Sequence, residues 1–350
     1  MEKAGGSRRT RQSRSALLWG LLLFLITQAS FSLALDKWQP NLYDPDYSSH
    51  LTSLKSRIAE VPDRPLLLMI GSSRTALSFR PECLPPLPTA GAENGRALVY
   101  NFSHFGAGPL MNLMALRRLL ADGVHPTWLV VEVMPAYFAH DGQQFLLLHA
   151  ALRDVPLLGR YLPAWRLWAR YLTRHSVLSP KYPAELLRRY APKWAPSASP
   201  TDSGAIGPLG GYLLLEENVD EATRSRRTAI VHDLMAPYLR SFEVTPTAER
   251  ATRELLELCR RERIAVLLLV TPEGPTYRSW YPPEAYPKLE RFLHGLASEH
   301  HVQVVDARQW LTDAAFYDSH HVIQSGANTF TLKLGQEVLT SFVSSRWASN

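Results

Sequence analysis

The stretch LLLMIGSSRTALSF, residues 66–79, places a run of five apolar residues directly before a glycine and two serines. An apolar run of this length that ends at a glycine predicts a buried strand of a parallel sheet. Ligands of such sheets bind beyond the carboxyl ends of the strands, where Ser72 and Ser73 would lie. Either serine can cap a helix that begins near Arg74, and either can instead serve as a nucleophile.

The alternation of apolar runs and helical patterns continues along the chain. Four further strands are predicted at residues 96–103, 127–133, 264–270 and 301–307. Helices are predicted over residues 108–123, 245–263 and 286–299, and again after Ser325. Strands that alternate with helices predict a three-layer, flavodoxin-like fold, in which a parallel sheet is covered by helices on both faces.

The composition, with 46% hydrophobic and 20% charged residues in a chain of 350, is that of a globular protein. Four of the six net positive charges come from residues 1–14, so the rest of the chain is nearly neutral and does not indicate a nucleic-acid partner. Cys83 and Cys259 lie far apart without metal-binding spacing. They predict buried thiols or one disulfide.

The N-terminal region carries a targeting signal. A basic tail, residues 1–14, precedes the uncharged segment 15–35, which is long enough to cross a bilayer as a helix. Because the basic side stays in the cytoplasm, the rest of the chain is predicted to be extracytoplasmic. The segment is a transmembrane anchor or, since residues 32–34 resemble a signal-peptidase site, a cleaved signal peptide. Residues 36–64 are predicted to be a linker with a short helix at 51–59.

The main domain is predicted to span residues 65–345 and to carry an insertion at about 136–244. The insertion contains two predicted helices, 163–175 and 184–194, rich in Arg, Trp and Tyr. Residues 153–193 hold nine basic residues against two acidic ones. This composition is consistent with a solvated face, with a cap over the active site, or with a surface for anionic lipid or an acidic glycan.

A serine nucleophile requires a base, and the base requires a group that orients it. The segment that follows the fifth strand contains Asp318 three residues before His321. One helical turn would place both on the same side, so that Asp318 holds Nδ1 while Nε2 faces the serine. Alternatively, Asp318 caps a helix and His320 and His321 are surface residues. A metal site formed by Asp318, His320 and His321 is weakly indicated, because no further ligand cluster is recognisable.

Three motifs together resemble the SGNH (GDSL-type) hydrolase superfamily: IGSSR (70–74), NFSHFGAGP (101–109) and FYDSHHVIQSGANTF (316–330). The Gly-Ser-Ser form and the N-terminal anchor are similar to its polysaccharide and cell-wall O-acyltransferase branch, which includes alginate-acetylation and teichoic-acid D-alanylation proteins. The resemblance covers residues 65–135 and 246–343.

By that resemblance, the catalytic triad is Ser73, His321 and Asp318. The backbone N–H groups of Ser73 and Gly106 would form the oxyanion hole. The family usually has an additional Asn after the third strand, but here that strand ends VVEVMPAYF, with no Asn in register. Glu132 and Glu273 also lie near strand ends, and the sequence assigns them no role.

The function implied is an extracytoplasmic serine acyltransferase or esterase that acts on O-acyl groups, acetyl foremost, of a polysaccharide or cell-envelope glycan. No cofactor or metal is required. The expected partners are the membrane, a glycan or small ester substrate, and a membrane-embedded protein that donates the acyl group. Two alternatives stay open: a plain esterase that uses water as the acceptor, and a catalytically inactive protein for glycan binding or envelope assembly.

Overall fold

The computed structural model describes residues 5–38, 44–89, 95–140, 143–174, 187, 191–194, 206–211, 218–240 and 242–344. The chain divides into two compact units. One comprises Met1–Ser48 and Leu147–Ser197, and the other comprises Ser49–Leu146 and Ala198–Asn350. The second unit contains the sheet and all of the predicted catalytic residues.

The sheet has five parallel strands, β1 (Leu66–Ile70), β2 (Leu98–Asn101), β3 (Trp128–Glu132), β4 (Ala265–Val270) and β5 (Gln303–Asp306). Their spatial order is β2-β1-β3-β4-β5. This is the flavodoxin-like order, in which a ligand crevice opens beside β1 where the direction of winding reverses. The five predicted strands and the predicted fold class are confirmed.

The helices are α1 (Gly5–Trp38), α2 (Pro45–Glu60), α3 (Ser73–Ser78), α4 (Pro109–Ala121), α5 (Pro135–Ala139), α6 (Gln143–His149), α7 (Val155–Leu158), α8 (Ala164–Arg174), α9 (Glu221–Leu239), α10 (Pro246–Arg261), α11 (Pro275–Arg278), α12 (Ala285–His300), α13 (Gln324–Leu334) and α14 (Thr340–Ser344). A π-helical segment, Gly335–Leu339, joins the last two. Short 3₁₀ turns occur at Pro81–Cys83, Leu152–Asp154, Pro192–Trp194 and Asp313–Ala315.

Helices cover the sheet on both faces. On one face, Met69 and Leu267 belong to a buried cluster with Phe330 of α13. On the other face, Leu255 of α10 and Val131 of β3 line one small cavity together with residues of α4. Burial of side chains on both faces explains why β1, β3 and β4 read as nearly continuous apolar runs rather than alternating patterns.

The N-terminal helix α1 contains a stretch, Ser13–Phe31, that is long and apolar enough to cross a membrane. Its apolar side chains are largely exposed; Leu17, for example, is 74% accessible. A core helix would bury such residues. A membrane anchor and a signal sequence fit this helix equally well by length and composition.

The helix predicted at 51–59 is longer, because α2 begins at Pro45 directly after Asp44, whose carboxylate accepts a backbone N–H of the first turn. This helix contacts the sheet. The hydroxyl of Tyr100 on β2 donates a hydrogen bond to the carbonyl of His50 at 3.1 Å. The end of the predicted linker is therefore structured and packed.

The insertion contains both predicted and unpredicted helices. The helix predicted at 163–175 is confirmed as α8. The one predicted at 184–194 lies mostly outside the described residues, which include its 3₁₀ end at Pro192–Trp194. Helix α9, which the sequence did not predict, is capped by Asp220, whose carboxylate accepts the N–H of Thr223.

The two cysteines are free thiols, so the disulfide alternative is wrong. Cys259 is buried on α10, and burial raises the pKa of its thiol. Cys83 is partly exposed, with its sulfur 3.3 Å from the side-chain oxygen of Asn328.

Candidate active site

The two serines after β1 have different environments. Ser72 is fully buried, and its Oγ accepts the backbone N–H of Arg74 at 3.2 Å, so it caps α3. Ser73 is the first residue of α3 and is partly exposed. Its Oγ lies 2.9 Å from Nε2 of His321. The helix-cap interpretation therefore holds for Ser72, and Ser73 is the serine that faces a base.

Gly71 is required by close packing at the end of β1. A Cβ atom at this position would lie 2.5 Å from Oε2 of Glu132 and 2.7 Å from Oγ1 of Thr75. Real Cβ atoms do not approach other atoms so closely. The glycine thus allows the carboxylate of Glu132 to reach the turn that carries Ser73.

Asp318 and His321 lie in a turn rather than on a helix, which corrects the local geometry expected from their spacing. Asp318 Oδ2 lies 2.8 Å from His321 Nδ1, while Oδ1 accepts the backbone N–H groups of His320 and His321. Ser319 between them has a left-handed φ of 59°. These backbone bonds curl the chain around the carboxylate and bring the side chains together without a helical turn.

The electrostatics of Asp318 favour its charged form. Burial alone would raise the pKa of this carboxyl. The charge of His321 and the hydrogen bonds that Asp318 accepts outweigh burial, so its pKa lies below the ordinary value. An ionised Asp318 fixes the Nδ1 hydrogen of His321 and leaves Nε2 free to accept a proton from Ser73.

The segment after β2 lies against the end of β1. The N–H of Phe102 donates to Met69 O at 2.7 Å, and the N–H of His104 donates to Gly71 O at 2.9 Å. Gly106 follows with a φ of +73°, and a Cβ there would lie 2.4 Å from Cγ of Phe145. The conformation thus requires glycine at this position. Its role as an oxyanion donor stays a prediction.

Glu132 occupies the end of β3, close to where the family would have its Asn. The side chain is buried, and Oε2 accepts the backbone N–H of Ser72. Its other oxygen accepts the hydroxyl hydrogen of Thr271 at 3.1 Å. Sequence reasoning noted Glu132 but gave it no function. Its position at a strand end was the available signal, whereas its hydrogen-bond partners required the structure.

Arg74, directly after Ser73, is buried and forms an ion pair with the buried Glu273 at 3.0 Å. Glu273 also accepts the hydroxyl hydrogens of Tyr281 at 2.8 Å and Tyr286 at 2.7 Å. A buried charge requires such partners. Glu273 therefore belongs to the surroundings of the serine turn and not to the exposed lining of a crevice.

Metal binding finds little support in the described part of the chain. No group of three or more His, Cys, Asp or Glu side chains is placed to hold an ion among those residues. Of the three residues that the sequence weakly indicated as metal ligands, Asp318 has its carboxylate directed to His321. Burial and the charges of His321 and Arg74 hold the pKa of His320 well below its ordinary value.

The fold and the site together define an α/β protein with a serine, a histidine and an aspartate in the geometry of a hydrolytic triad. The fold implied by the resemblance to the SGNH hydrolase superfamily is the fold observed.

One protein-family model, which carries no family description, matches residues 239–343. The search of curated proteins finds no match. Similar solved structures include three bacterial proteins. An acylhydrolase from Bacteroides fragilis has 14% identity, TM-score 0.37, and coverage of 82% of this chain and 94% of its own. A GDSL-like lipase from Bacteroides thetaiotaomicron has 11% identity and a TM-score of 0.34, and the match covers 83% of this chain and 98% of the lipase. An acetylxylan esterase from Geobacillus stearothermophilus has 13% identity and a TM-score of 0.33, and the match covers 82% of this chain and 97% of the esterase.

Proposed function

We propose that this protein is an extracytoplasmic, SGNH-like serine acyltransferase or esterase that acts on O-acyl groups, acetyl foremost, of a polysaccharide or cell-envelope glycan. The observation that carries the proposal is the continuous chain of contacts from Ser73 Oγ to His321 Nε2, 2.9 Å, and from His321 Nδ1 to Asp318 Oδ2, 2.8 Å. Ser73 and His321, which are 248 positions apart in sequence, meet here in the arrangement that activates a serine hydroxyl.

In the first half-reaction, His321 Nε2 takes the proton of Ser73 as Oγ attacks the ester carbonyl carbon. The carbonyl oxygen becomes an oxyanion, held by the backbone N–H groups of Ser73 and Gly106. When the bond to the leaving alcohol breaks, the imidazolium of His321 returns the proton to the alcohol oxygen. The acyl group is then bound to Ser73 as an ester. Asp318 stays ionised throughout and stabilises the imidazolium.

In the second half-reaction, an acceptor hydroxyl gives its proton to His321 as its oxygen attacks the seryl ester. The bond between the acyl carbon and Ser73 Oγ breaks, the acylated acceptor leaves, and the proton returns from His321 to Ser73. A sugar hydroxyl as acceptor gives acyl transfer, and water gives hydrolysis. The balance between these outcomes depends on how far the site excludes water.

The proposed extracytoplasmic location is supported by α1. Basic residues precede the apolar stretch Ser13–Phe31, which favours an orientation with the N-terminus in the cytoplasm and the rest of the chain on the other side of the membrane. The helix is retained as a membrane anchor or removed as a signal sequence. A membrane-embedded partner that supplies the acyl donor, as the family resemblance implies, would require the anchored form.

The aromatic surface of the first unit is the candidate glycan platform. Trp165 and Trp168 on α8 are 69% and 44% exposed, and Trp194 is 80% exposed. The guanidinium of Arg166 lies over the Trp165 ring at 6.0 Å. Exposed tryptophan rings provide flat apolar surface with a polar N–H, which suits the faces and hydroxyl groups of sugars.

The proposal is tested by labelling the full chain with a fluorophosphonate serine probe, which reacts with an activated serine. Ser73→Ala and His321→Ala should each abolish labelling, because one removes the nucleophile and the other the base. Ser72→Ala is the matched control, since Ser72 is the neighbouring serine but serves as a helix cap. It should keep labelling.

Absence of labelling in folded wild-type protein would overturn the proposal. It would favour the inactive alternative, a glycan-binding or assembly protein with the same fold. The absence of the usual oxyanion Asn is what gives that alternative weight, since losing one such donor lowers the rate about a hundred- to a thousandfold.

A further inference from the structure

The proposed nucleophile, Ser73, and the proposed base, His321, belong to separate segments of the chain. One loop contacts both segments. Ser73 follows β1, whereas His321 lies in the turn after β5. Residues 271–277, which we call the bridging loop, follow β4, the strand adjacent to β5. The relative position of Ser73 and His321 therefore depends on what this loop holds on each side.

On the serine side, the bridging loop binds Arg74. The guanidinium donates to Thr271 O at 3.2 Å, to Pro272 O and to Glu273 Oε1 at 3.0 Å. Arg74 is 2% exposed. Because Arg74 directly follows Ser73, these bonds restrain the first turn of α3 at several points.

On the histidine side, the bridging loop packs against Ser319 and His320. The N–H of Gly274 donates to Ser319 O at 3.1 Å, and a Cβ on Gly274 would lie 2.7 Å from that oxygen. The ring of Tyr277 stacks on the ring of His320 with centroids 5.1 Å apart. Asp318, Ser319 and His320 form the turn that presents His321, so the loop supports this turn as well.

The loop itself is fixed at Glu273. The N–H of Glu273 donates to Arg308 O at 3.0 Å, and two tyrosine hydroxyls donate to its carboxylate. Burial disfavours the charge on Arg74, but Glu273 and its neighbours outweigh this effect and raise the pKa of Arg74. The two terminal nitrogens of Arg74 reach three acceptors on the bridging loop, and such a buried, multiply bonded ion pair has one favoured geometry, which makes it a rigid support.

We propose that Arg74 and Glu273 are positioning residues, whose buried ion pair through the bridging loop holds Ser73 Oγ within reach of His321 Nε2. This inference rests on the proposed function for its kinetic consequences, but not for its geometry. Neither residue touches the substrate in this scheme. Both act on the rate by setting the distance between nucleophile and base, to which rates are steeply sensitive.

Arg74→Lys is the decisive variant, because it keeps the charge but loses the planar fork that reaches three acceptors at once. Glu273→Gln is the second variant, because it keeps the shape but removes the charge and replaces one acceptor oxygen with an N–H donor. Arg80→Lys is the matched control. Arg80 pairs with Glu82 outside the site, on the same segment of chain, at 2.8 Å.

Activity is measured per active site, with the number of sites counted from fluorophosphonate incorporation at completion. Arg74→Lys should lower kcat on a small acetyl ester about ten- to a hundredfold with little change in KM. The acidic limb of the pH–rate profile should stay in place, because the pair Asp318–His321 is untouched. The double variant, Arg74→Lys with Glu273→Gln, should lose no more kcat than the more damaging single variant, because both substitutions disrupt the same ion pair.

The geometry is read independently of activity from ¹⁵N NMR of the histidine rings, with His321→Gln identifying the signals of His321. Arg74→Lys should shift the His321 Nε2 signal as its hydrogen bond to Ser73 weakens, and Arg80→Lys should not. A wild-type protein without turnover would refute the proposed function, while this NMR contrast would still decide the positioning role. The positioning role would be overturned if Arg74→Lys changed neither kcat per site nor the His321 Nε2 signal. A shift of the acidic limb of its pH–rate profile would overturn it as well.

Discussion

The carboxylate of Glu132 accepts the backbone N–H of Ser72, one residue before the serine that faces His321. The same carboxylate accepts the hydroxyl hydrogen of Thr271 at the start of the bridging loop. One buried side chain at the end of β3 therefore joins the turn after β1 to the loop after β4. The three strands are neighbours in the sheet, so this bond network crosses the carboxyl edge where the site lies.

Replacing Glu132 with Ala should reduce both stability and activity. The substitution leaves the buried N–H of Ser72 without its acceptor, which we expect to lower the free energy of unfolding by about 1–3 kcal/mol. Glu132→Gln should be milder, because its amide oxygen accepts from Ser72 and its amide nitrogen can donate to Thr271. Urea unfolding and kcat on a small ester check this, and equal effects of the two variants would contradict it.

Gly71→Ala should destabilise the protein by introducing a methyl group where no space exists. The added Cβ would lie 2.6 Å from Cβ of Glu132, so the turn must shift, at a cost of about 1–3 kcal/mol. The control is Gly295→Ala, since a Cβ at this exposed position in α12 meets nothing within 4 Å. There the higher helix propensity of alanine should stabilise by about 0.5–1 kcal/mol. A neutral Gly71→Ala would show that the turn can move freely.

Most of the sheet could be predicted because β1 to β4 are buried on both faces and therefore read as apolar runs, whereas β5 is partly exposed. Helix boundaries also followed local chemistry, as in the cap of Thr245 before Pro246, where the side chain accepts the N–H of Ala248 at 3.2 Å. Helix α9 escaped prediction because its apolar residues do not lie on one face: Ile230 and Leu234 are exposed, whereas Leu239 is buried. Such a helix lacks the periodicity on which sequence patterns depend.

The site was predictable only in part. Asp318 and His321 do approach each other, but through an Asx-type turn with Ser319 in a left-handed conformation instead of a helical turn. The ion pair of Arg74 and Glu273 joins residues 199 positions apart. Neither residue carries a local signal that names its partner. A single sequence indicates chemical types at strand ends, whereas pairing across the edge of the sheet depends on packing.

His320 should make stability depend on pH in the weakly acidic range. Burial and the charges of His321 and Arg74 hold its pKa well below the ordinary value of 6.5 in the folded state. Below about pH 6.5 the unfolded chain binds a proton at this position that the folded protein does not, so the free energy of unfolding falls as the pH decreases. Above that pH the full stability is present.

His320→Phe should remove this part of the pH dependence, because phenylalanine keeps the ring stacked on Tyr277 but does not titrate. Urea unfolding at about pH 7.5 and about pH 5.5 would measure the change for wild type and variant. His294→Phe, at an exposed position on α12, is the control and should leave the wild-type pH dependence in place. An identical slope for wild type and His320→Phe would contradict the assignment.

The exposed tryptophans of α8 give the proposed polymer substrate a separate test. Replacing Trp165 and Trp168 together with Ala should raise KM for an acetylated polysaccharide about tenfold or more, since aromatic anchors commonly contribute over 1 kcal/mol each to binding. Turnover of a small acetyl ester should not change, because such an ester offers no sugar ring to stack on a tryptophan. The control pair, Ile230→Ala with Leu234→Ala, removes exposed apolar side chains from α9, outside the platform.

An unchanged KM for the polysaccharide, combined with loss of sedimentation with anionic vesicles in a chain that begins at residue 36 and so lacks the apolar stretch Ser13–Phe31, would instead assign these rings to the membrane surface. Trp and Arg are both favoured at the interface of a bilayer, so the composition of α8 alone does not separate the two roles. Charge does separate them, because lipid binding should weaken steeply with added salt, whereas stacking of tryptophan on uncharged sugar rings should not. Salt-independent binding that both tryptophan substitutions abolish would establish the glycan platform.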